Sequence, residues 1–496
     1  MIDVGSNTAR LVIYEAHPSG VVRPIVEGKE VPRLGARTRP DGSLAPEAIR
    51  RGIETLGRFA RTLADHRVRR VAAVATSAVR DAPNGKEFVR AAARATGLPL
   101  RVLSGAEEAR YDYLGVASAW ALGDDLLLDL GGGSLQLVAT RRGRLAEAVS
   151  LPLGALRLTE RHVRHDPPRP RDLRAVAEAA RRPLREAIAA FRLPPGARVF
   201  GVGGTVRAAA RAAIARSGYP LERVHGYPIR RRDLAALRER LDGLHREERR
   251  GIPGIGAERA DVIDAGLVVL EEILRATEAE AIVTTGTGVR EGLAAEAAGA
   301  ALPAPARVLV ERSIAAAADR FSFSTARGRR VGRLAEGLFG LLAPGQGWGP
   351  SERIALVVAA AMHDAGVSID LWRHAHHSAY LIRNYPLWGL THRETLLAAS
   401  IVALHAGDEL PPGMRKGFAP ILRPSDGKRI RRLAGLLQLA GLLAPAGPSF
   451  ARGRGGRTLT VSFIRPARTT LPPRTMEKAR KPFEREFGIE VRYRDG

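Results

Sequence analysis

Two stretches of the 496-residue chain set an aspartate two residues ahead of a Gly/Ser turn: Asp3-Val4-Gly5-Ser6-Asn7-Thr8 and Asp129-Leu130-Gly131-Gly132-Gly133-Ser134. Strand-like apolar runs flank each turn, "MIDV" and "RLVIYEA" in the first case, "LLLDL" and "LQLVAT" in the second. Glycine weakens a strand and marks a bend or a close approach. A Gly/Ser hairpin turn can aim several peptide N–H groups at one point, a nest suited to phosphate oxygens. An aspartate at the strand end can hold Mg²⁺, which prefers carboxylate, phosphate and water ligands. A single turn of this kind is usually only a turn. Two in matching contexts, 126 residues apart, suggest a duplicated domain with one phosphate-type turn in each half.

Other residues could act with them. Glu107-Glu108 follow Ser104, a plausible N-cap, at the start of a proposed helix. One of the two could deprotonate a water for attack on phosphorus, although acids are favoured at helix N-termini in any case. Arg80 follows a buried strand, where a guanidinium could clamp a phosphate. "VFGVGGTVRAAAR" (199–211), with Gly203, Gly204 and Thr205, and "AIVTTGTGVREGL" (281–293) read as strand-to-helix turns with glycine at the corner. His363-Asp364, followed by His374, His376 and His377, suggests a metal phosphohydrolase pair. No histidine lies between Arg307 and Met362, so a binuclear site lacks ligands.

The elements that must position these residues follow an α/β alternation. A helix is expected over 45–66, another over 85–96, a strand near 99–103 and a helix from 104. "ALPAPA" (301–306) reads as a linker. Helices follow over 308–320, 330–342, 351–365, 376–384 and 394–405, and a small α+β domain closes the chain with a strand at "TLTVSFI" and a helix over 474–486. Cysteine is absent, which excludes disulfides, thiolate metal sites and cysteine nucleophiles. The net charge of +26 invites a polyanion partner. However, 72 of the 78 basic residues are arginine in an Ala-, Gly- and Pro-rich chain, the bias a GC-rich genome produces. Aromatic content of 5% argues against nucleic acid stacked on the surface. No apolar run of about 18 residues predicts a membrane span, and "MIDVGSNTAR" lacks a signal-peptide pattern, so a cytoplasmic protein is expected.

"DVGSNTARL", "ATSAVRDAPN", "SGAEEARYDYLGV", "LDLGGGSLQLV", "SLPLGALRLTE", "GVGGTVR", "ERADVIDAG" and "TGTGVREGL", in that order over about residues 1–295, resemble the exopolyphosphatase/guanosine pentaphosphatase (Ppx/GppA) family. The region with "HDAGVSID" and "HHSAYLI" resembles the HD-like domain of its longer members. The resemblance implies an α/β fold of duplicated actin-like (ribonuclease H-like) ATPase lobes, 1–121 and 122–302. It implies an all-α HD-like domain over 303–438, followed by a small α+β domain over 439–496. It implies removal of the terminal phosphate of inorganic polyphosphate, or of the 5′ γ-phosphate of guanosine pentaphosphate, by a homodimer using Mg²⁺ or Mn²⁺. Glu108 then matches the general base, Arg80 a phosphate-contacting arginine, and Asp3 and Asp129 Mg²⁺-associated acids. Gly5, Ser6, Asn7, Thr8, Gly131, Gly132, Gly133 and Ser134 match the phosphate-cradling turns. A distal polyphosphate chain would need a basic track, for which 328–333 and 428–432 are candidates.

The second turn usually reads GGGS-x-E in this family, and here the acid is Gln136. Its loss bears on metal binding, water orientation and substrate choice, and raises the alternative of a catalytically weak polyphosphate- or alarmone-binding regulator. Arg329 and Arg330 stand where longer members often carry a histidine.

Overall fold

The computed structural model describes residues 1–36, 41–406, 417–453, 455–463 and 471–495. The chain folds as two compact units, Met1–Gly218 with Glu222–Pro305, and Tyr219–Leu221 with Ala306–Gly496.

The first unit holds two lobes of one topology. In lobe I the strands β1 (Ile2–Val4), β2 (Ala9–Ala16), β3 (Val22–Glu30), β4 (Ala73–Ala75) and β5 (Leu100–Val102) lie in the order β3-β2-β1-β4-β5. The hairpins are antiparallel, and β4 and β5 join in parallel. Lobe II repeats the scheme with β6 (Leu126–Leu130), β7 (Arg141 back to Leu135), β8 (Arg144–Leu151), β9 (Val199–Val202) and β11 (Ala281–Thr284), and adds β10 (Pro228–Arg230) beyond β11 at the edge. The duplication expected of actin-like lobes is therefore present. It extends to register: Asp3 faces Arg10 across its hairpin, and Asp129 faces Gln136 across the other.

Local sequence explains the elements. The helix Pro46–Asp65 starts with proline at a first-turn position and buries Ala48, Thr55, Leu56, Phe59 and Leu63, one stripe at helical spacing. The helix Gly105–Ala117 buries nearly every side and has no polar stripe, as a helix covered all round should.

That helix corrects the expected lobe boundary at residue 121. It leaves lobe I but packs against β6, β7 and β8 of lobe II, while the helix Val289–Ala297 leaves lobe II and packs on β1 and β3 of lobe I. The two helices cross, and the crossing has no room for side chains. A Cβ at Gly292 would lie 2.0 Å from the Tyr111 carbonyl oxygen, and one at Gly115 would lie 2.1 Å from that of Gly288.

The second unit is helical, with Ala306–Phe321, Thr325–Leu342, Pro350–Met362, His374–Asn384, His392–His405 and Asp426–Leu443. The last of these was not anticipated, because its apolar positions run into the proline-bearing turn after it. The C-terminal strands β12 (Ser449–Arg452), β13 (Thr458–Phe463) and β14 (Glu490–Asp495) and the helix Pro473–Phe487 do not form a separate domain at 439. Val461, Phe463, Phe483 and Val491 share one core with Leu338, Leu433 and Leu437 of the helices. The apolar face of the three strands and their helix is shared with the preceding helices, so they complete the helical core.

The crossing predicts opposite outcomes for two glycine substitutions. Gly292→Ala should destabilise the protein by about 1–3 kcal/mol through overpacking. Gly57→Ala, on a helix with nothing near its Cβ position, should stabilise it by roughly 0.5–1 kcal/mol. Urea unfolding of the two variants checks both signs.

Candidate active site

Both hairpin turns, the start of the Gly105–Ala117 helix and the ends of β4 and β9 converge on one cleft between the lobes, of about 670 Å³. Asp3, Gly5, Ser6, Asn7, Thr8, Glu108, Asp129, Gly131, Gly132, Ser134, Gly203 and Gly204 line it, as the sequence predicted.

The turns are held from behind. In lobe II the amides of Ala155 and Arg157 donate to the carbonyls of Gly131 and Gly132, at 3.0 Å each, and Arg157 Nε donates to the Gly133 carbonyl at 2.7 Å. In lobe I the amides of Gly35 and Arg33 donate to the carbonyls of Ser6 (2.8 Å) and Asn7 (3.1 Å). A trans peptide sets N–H opposite C=O. Anchoring these carbonyls therefore turns the amides of residues 132–134 and 7–8 the other way, the arrangement a phosphate nest requires.

Gly133 is absent from the cleft lining, and its bare Cα serves the contact between the lobes. Its Cβ position lies 2.7 Å from Ser6 Oγ and 2.6 Å from Ser77 Oγ. Its missing side chain is needed where the lobe II turn abuts lobe I. Asn7 Nδ2 donating to the Glu258 carbonyl at 2.9 Å, and the ion pairs Arg157–Asp81 (2.6 Å) and Arg33–Asp261 (2.8 Å), add to that contact.

Glu107 and Glu108 separate by function. Glu107 forms a capping box with Ser104, accepting from the Ser104 amide at 2.9 Å while Ser104 Oγ accepts from the Glu107 amide at 3.2 Å. Glu108, one residue on, is 6% exposed and turns into the cleft. Burial pushes its carboxyl up, against the pull of Arg80, to about 7. A carboxylate so placed can take a proton near neutral pH. Arg80 is not in the cleft lining: its Nη1 donates to Glu108 Oε2 at 2.8 Å and to the Leu103 carbonyl at 3.1 Å. These bonds fix the Glu108 carboxylate in place. Thr205 is fully buried, its methyl group packed where Gly266 leaves room. Gln136 is also buried, with Nε2 donating to Ser134 Oγ at 2.8 Å and to Ser150 Oγ at 3.2 Å.

Four arginines of the cleft were missed: Arg10, Arg207, Arg259 and Arg290. The signal was present in "NTARL", "GGTVR", "ERAD" and "GVREG", but the arginine background hid it. Burial lowers Arg207 and Arg259 to about 10 each, helped by neighbouring arginines. Nη1 of Arg259 and of Arg290 is buried without a partner. A Cβ at Gly204 would lie 2.0 Å from Arg259 Nη2, so this glycine lets the guanidinium lie on the first turn of the helix Gly204–Ser217. A helix N-terminus carries partial positive charge; a cation pressed onto it calls for an anion. Burial raises both Asp3 and Asp129 above the usual carboxylate range, and Asp129 Oδ1 is buried without a partner.

Asp364 is ion-paired to Arg327 at 2.8 Å and lies 3.3 Å from His363 Nε2. Among the described residues no group of three His, Cys, Asp or Glu side chains is arranged to hold a metal. In the 428–432 cluster Arg429 bonds Asp426, Arg431 pairs with Glu486, and Arg432 bonds Gln346 and the Glu486 carbonyl, so all three of its arginines have partners within the fold. Arg329, Arg330 and Arg333 are exposed.

The sequence matches the model of the Ppx/GppA phosphatase family over residues 12–300 and that of Ppx/GppA phosphatase domain III over 309–446. Among solved structures it is similar to an exopolyphosphatase from Cytophaga hutchinsonii, with 29% identity over 60% of this chain and 96% of that one and a TM-score of 0.55. An exopolyphosphatase-like protein matches at 29% identity over 60% and 98%, TM-score 0.54. The Aquifex aeolicus Ppx/GppA family member matches at 28% over 60% and 95%, TM-score 0.52. With the two-lobed cleft and the helical region both matched, the chain belongs to the Ppx/GppA phosphatase family.

Proposed function

We propose that the protein is an exopolyphosphatase that removes the terminal phosphate of inorganic polyphosphate. The observation that carries this reading is the guanidinium of Arg259 laid on a helix N-terminus with its Nη1 buried and without a partner, in the same cleft as a carboxyl with a pKa of about 7. Among the described residues none that lines this cleft is aromatic, which favours a phosphate chain over a guanine base stacked beside it.

The terminal phosphoryl group sits between the two turns, its oxygens on the amides of residues 7–8 and 132–134. Glu108 takes a proton from a water as the water oxygen bonds to phosphorus and the bridging P–O bond breaks. The leaving oxygen stays on the shortened chain, whose charge Arg207, Arg259 and Arg290 hold. Phosphoanhydrides have good leaving groups, so positioning and charge neutralisation supply most of the rate. Arg80 fixes the Glu108 carboxylate and restrains its pKa.

Asp3 and Asp129 fit a divalent cation. They are oxygen donors beside a phosphate nest, and Asp129 Oδ1 has no protein partner. With two acids rather than a complete cage, phosphate and water must complete the coordination, the pattern of Mg²⁺, with Mn²⁺ as a substitute. When bound, such a cation supplies neutralisation of phosphoryl oxygens.

Phosphate release should be fastest on long polyphosphate, assayed beside short polyphosphate and guanosine pentaphosphate with Mg²⁺ and with Mn²⁺. Release from guanosine pentaphosphate alone would replace this reading with the nucleotide one; release from none, with polyphosphate still bound, would make the protein a binding regulator. Glu108→Gln should cut kcat roughly 10²–10⁴-fold, the usual worth of a general base, while polyphosphate binding persists. Because Glu108 must be ionised to accept a proton, kcat/KM should fall as pH drops through about 7. Arg80 lowers the Glu108 pKa, so in Arg80→Ala this acid limb should move to higher pH; a limb that stays in place would detach Arg80 from the base.

A further inference from the structure

Asp112 stands one helical turn beyond Glu108, on the same face of the Gly105–Ala117 helix. It is 2% exposed, and neither of its oxygens has a partner. Asp129 lies within hydrogen-bonding reach of it, and Asp129 Oδ1 and the Oε1 of its cross-strand neighbour Gln136 are likewise buried without a partner. A Cβ at Gly203 would come within 2.7 Å of that Oδ1, and one at Gly288 within 3.3 Å of Asp112 Oδ1. Glycine at both positions keeps the two acids side by side. Two ionised carboxylates side by side are acceptors only, and burying both is unfavourable; burial and the Asp129 and Glu108 charges accordingly hold the Asp112 carboxyl well above the usual carboxylate range, while Arg207, Arg259 and Arg290 pull Asp129 back down. On the opposite flank of Asp129, its direct cross-strand neighbour is the neutral amide Gln136, whose Nε2 is committed to two serines.

We infer that Asp112 is a positioning acid for Asp129. It supplies from the helix side the second negative charge that a divalent cation on Asp129 needs, where position 136 on the strand side carries none. Asp112 does not line the cleft, so it acts through Asp129 and does not touch the cation. The inference rests on the cation-assisted reading above.

Calorimetric Mg²⁺ titration of the full-length protein without substrate tests it on the wild type, Asp112→Asn, Gln136→Glu and the double variant. Asp112→Asn should weaken Mg²⁺ binding at least tenfold. Gln136→Glu in that background should recover most of the loss, because it restores an acid directly opposite Asp129. Without Mg²⁺, Asp112→Asn should melt no lower than the wild type, since it removes a buried acid that lacks a partner. Unchanged Mg²⁺ affinity in Asp112→Asn overturns the inference. So does a metal-free Asp112→Asn protein that melts lower or fails to fold, which would make Asp112 structural. A wild type that binds no Mg²⁺ overturns instead the cation-assisted reading beneath it.

Discussion

The helices Gly105–Ala117 and Val289–Ala297 cross with backbone against backbone, and the cleft depends on that crossing. Each helix starts at a strand end of one lobe and packs on the other, so the pair ties the lobes together. Gly115 and Gly292 make the approach close enough that a methyl group would strike a carbonyl oxygen. Glu108 lies two turns before Gly115, and Arg290 two residues before Gly292. The contact that sets the lobe spacing thereby also sets the distance between base and guanidinium. Functional groups on rigid elements hold their geometry better than groups on loops.

The cleft gathers buried charges of both signs. Asp3, Glu108, Asp112 and Asp129 meet Arg207, Arg259 and Arg290 there, and the arginines pull Asp3 and Asp129 down against the burial that raises them. Few of these groups are paired within the protein, and burial shifts Asp3, Glu108 and Asp129 toward their neutral form. Such a site is costly for the empty protein and matches a ligand carrying both signs, a phosphate chain with its cation. The turns add fixed amides at no reorganisation cost, because the loop 33–35 and the helix Ala155–His162 already hold their carbonyls.

Much of the site was legible from the chain. The two Asp–turn hairpins, the Ser104 cap and Glu108 were visible because each rests on a local pattern: a strand end, a turn residue, a capping box. Arg80 was singled out, but its bond to Glu108 was not foreseen. Nothing in "ATSAVRDAPN" shows that Leu103 and Glu108 come to meet its guanidinium. Asp112 was overlooked although four residues separate it from Glu108, since i, i+4 acids on a helix usually face solvent. The four cleft arginines were lost in a chain with 72 of them. Composition carries no address.

By itself the sequence determined the duplicated lobes, the phosphate-type turns and the candidate base, because hydrophobic period, turn chemistry and capping act over a few residues. The tertiary structure alone decided which lobe each crossing helix serves. It showed that Gly133 is spare room for Ser6 and Ser77, and that the C-terminal strands finish the helical core. It also decided that Asp112 and Gln136 flank the same aspartate. These are contacts between residues far apart in the chain, and their energies depend on burial and distance, which a local pattern does not encode.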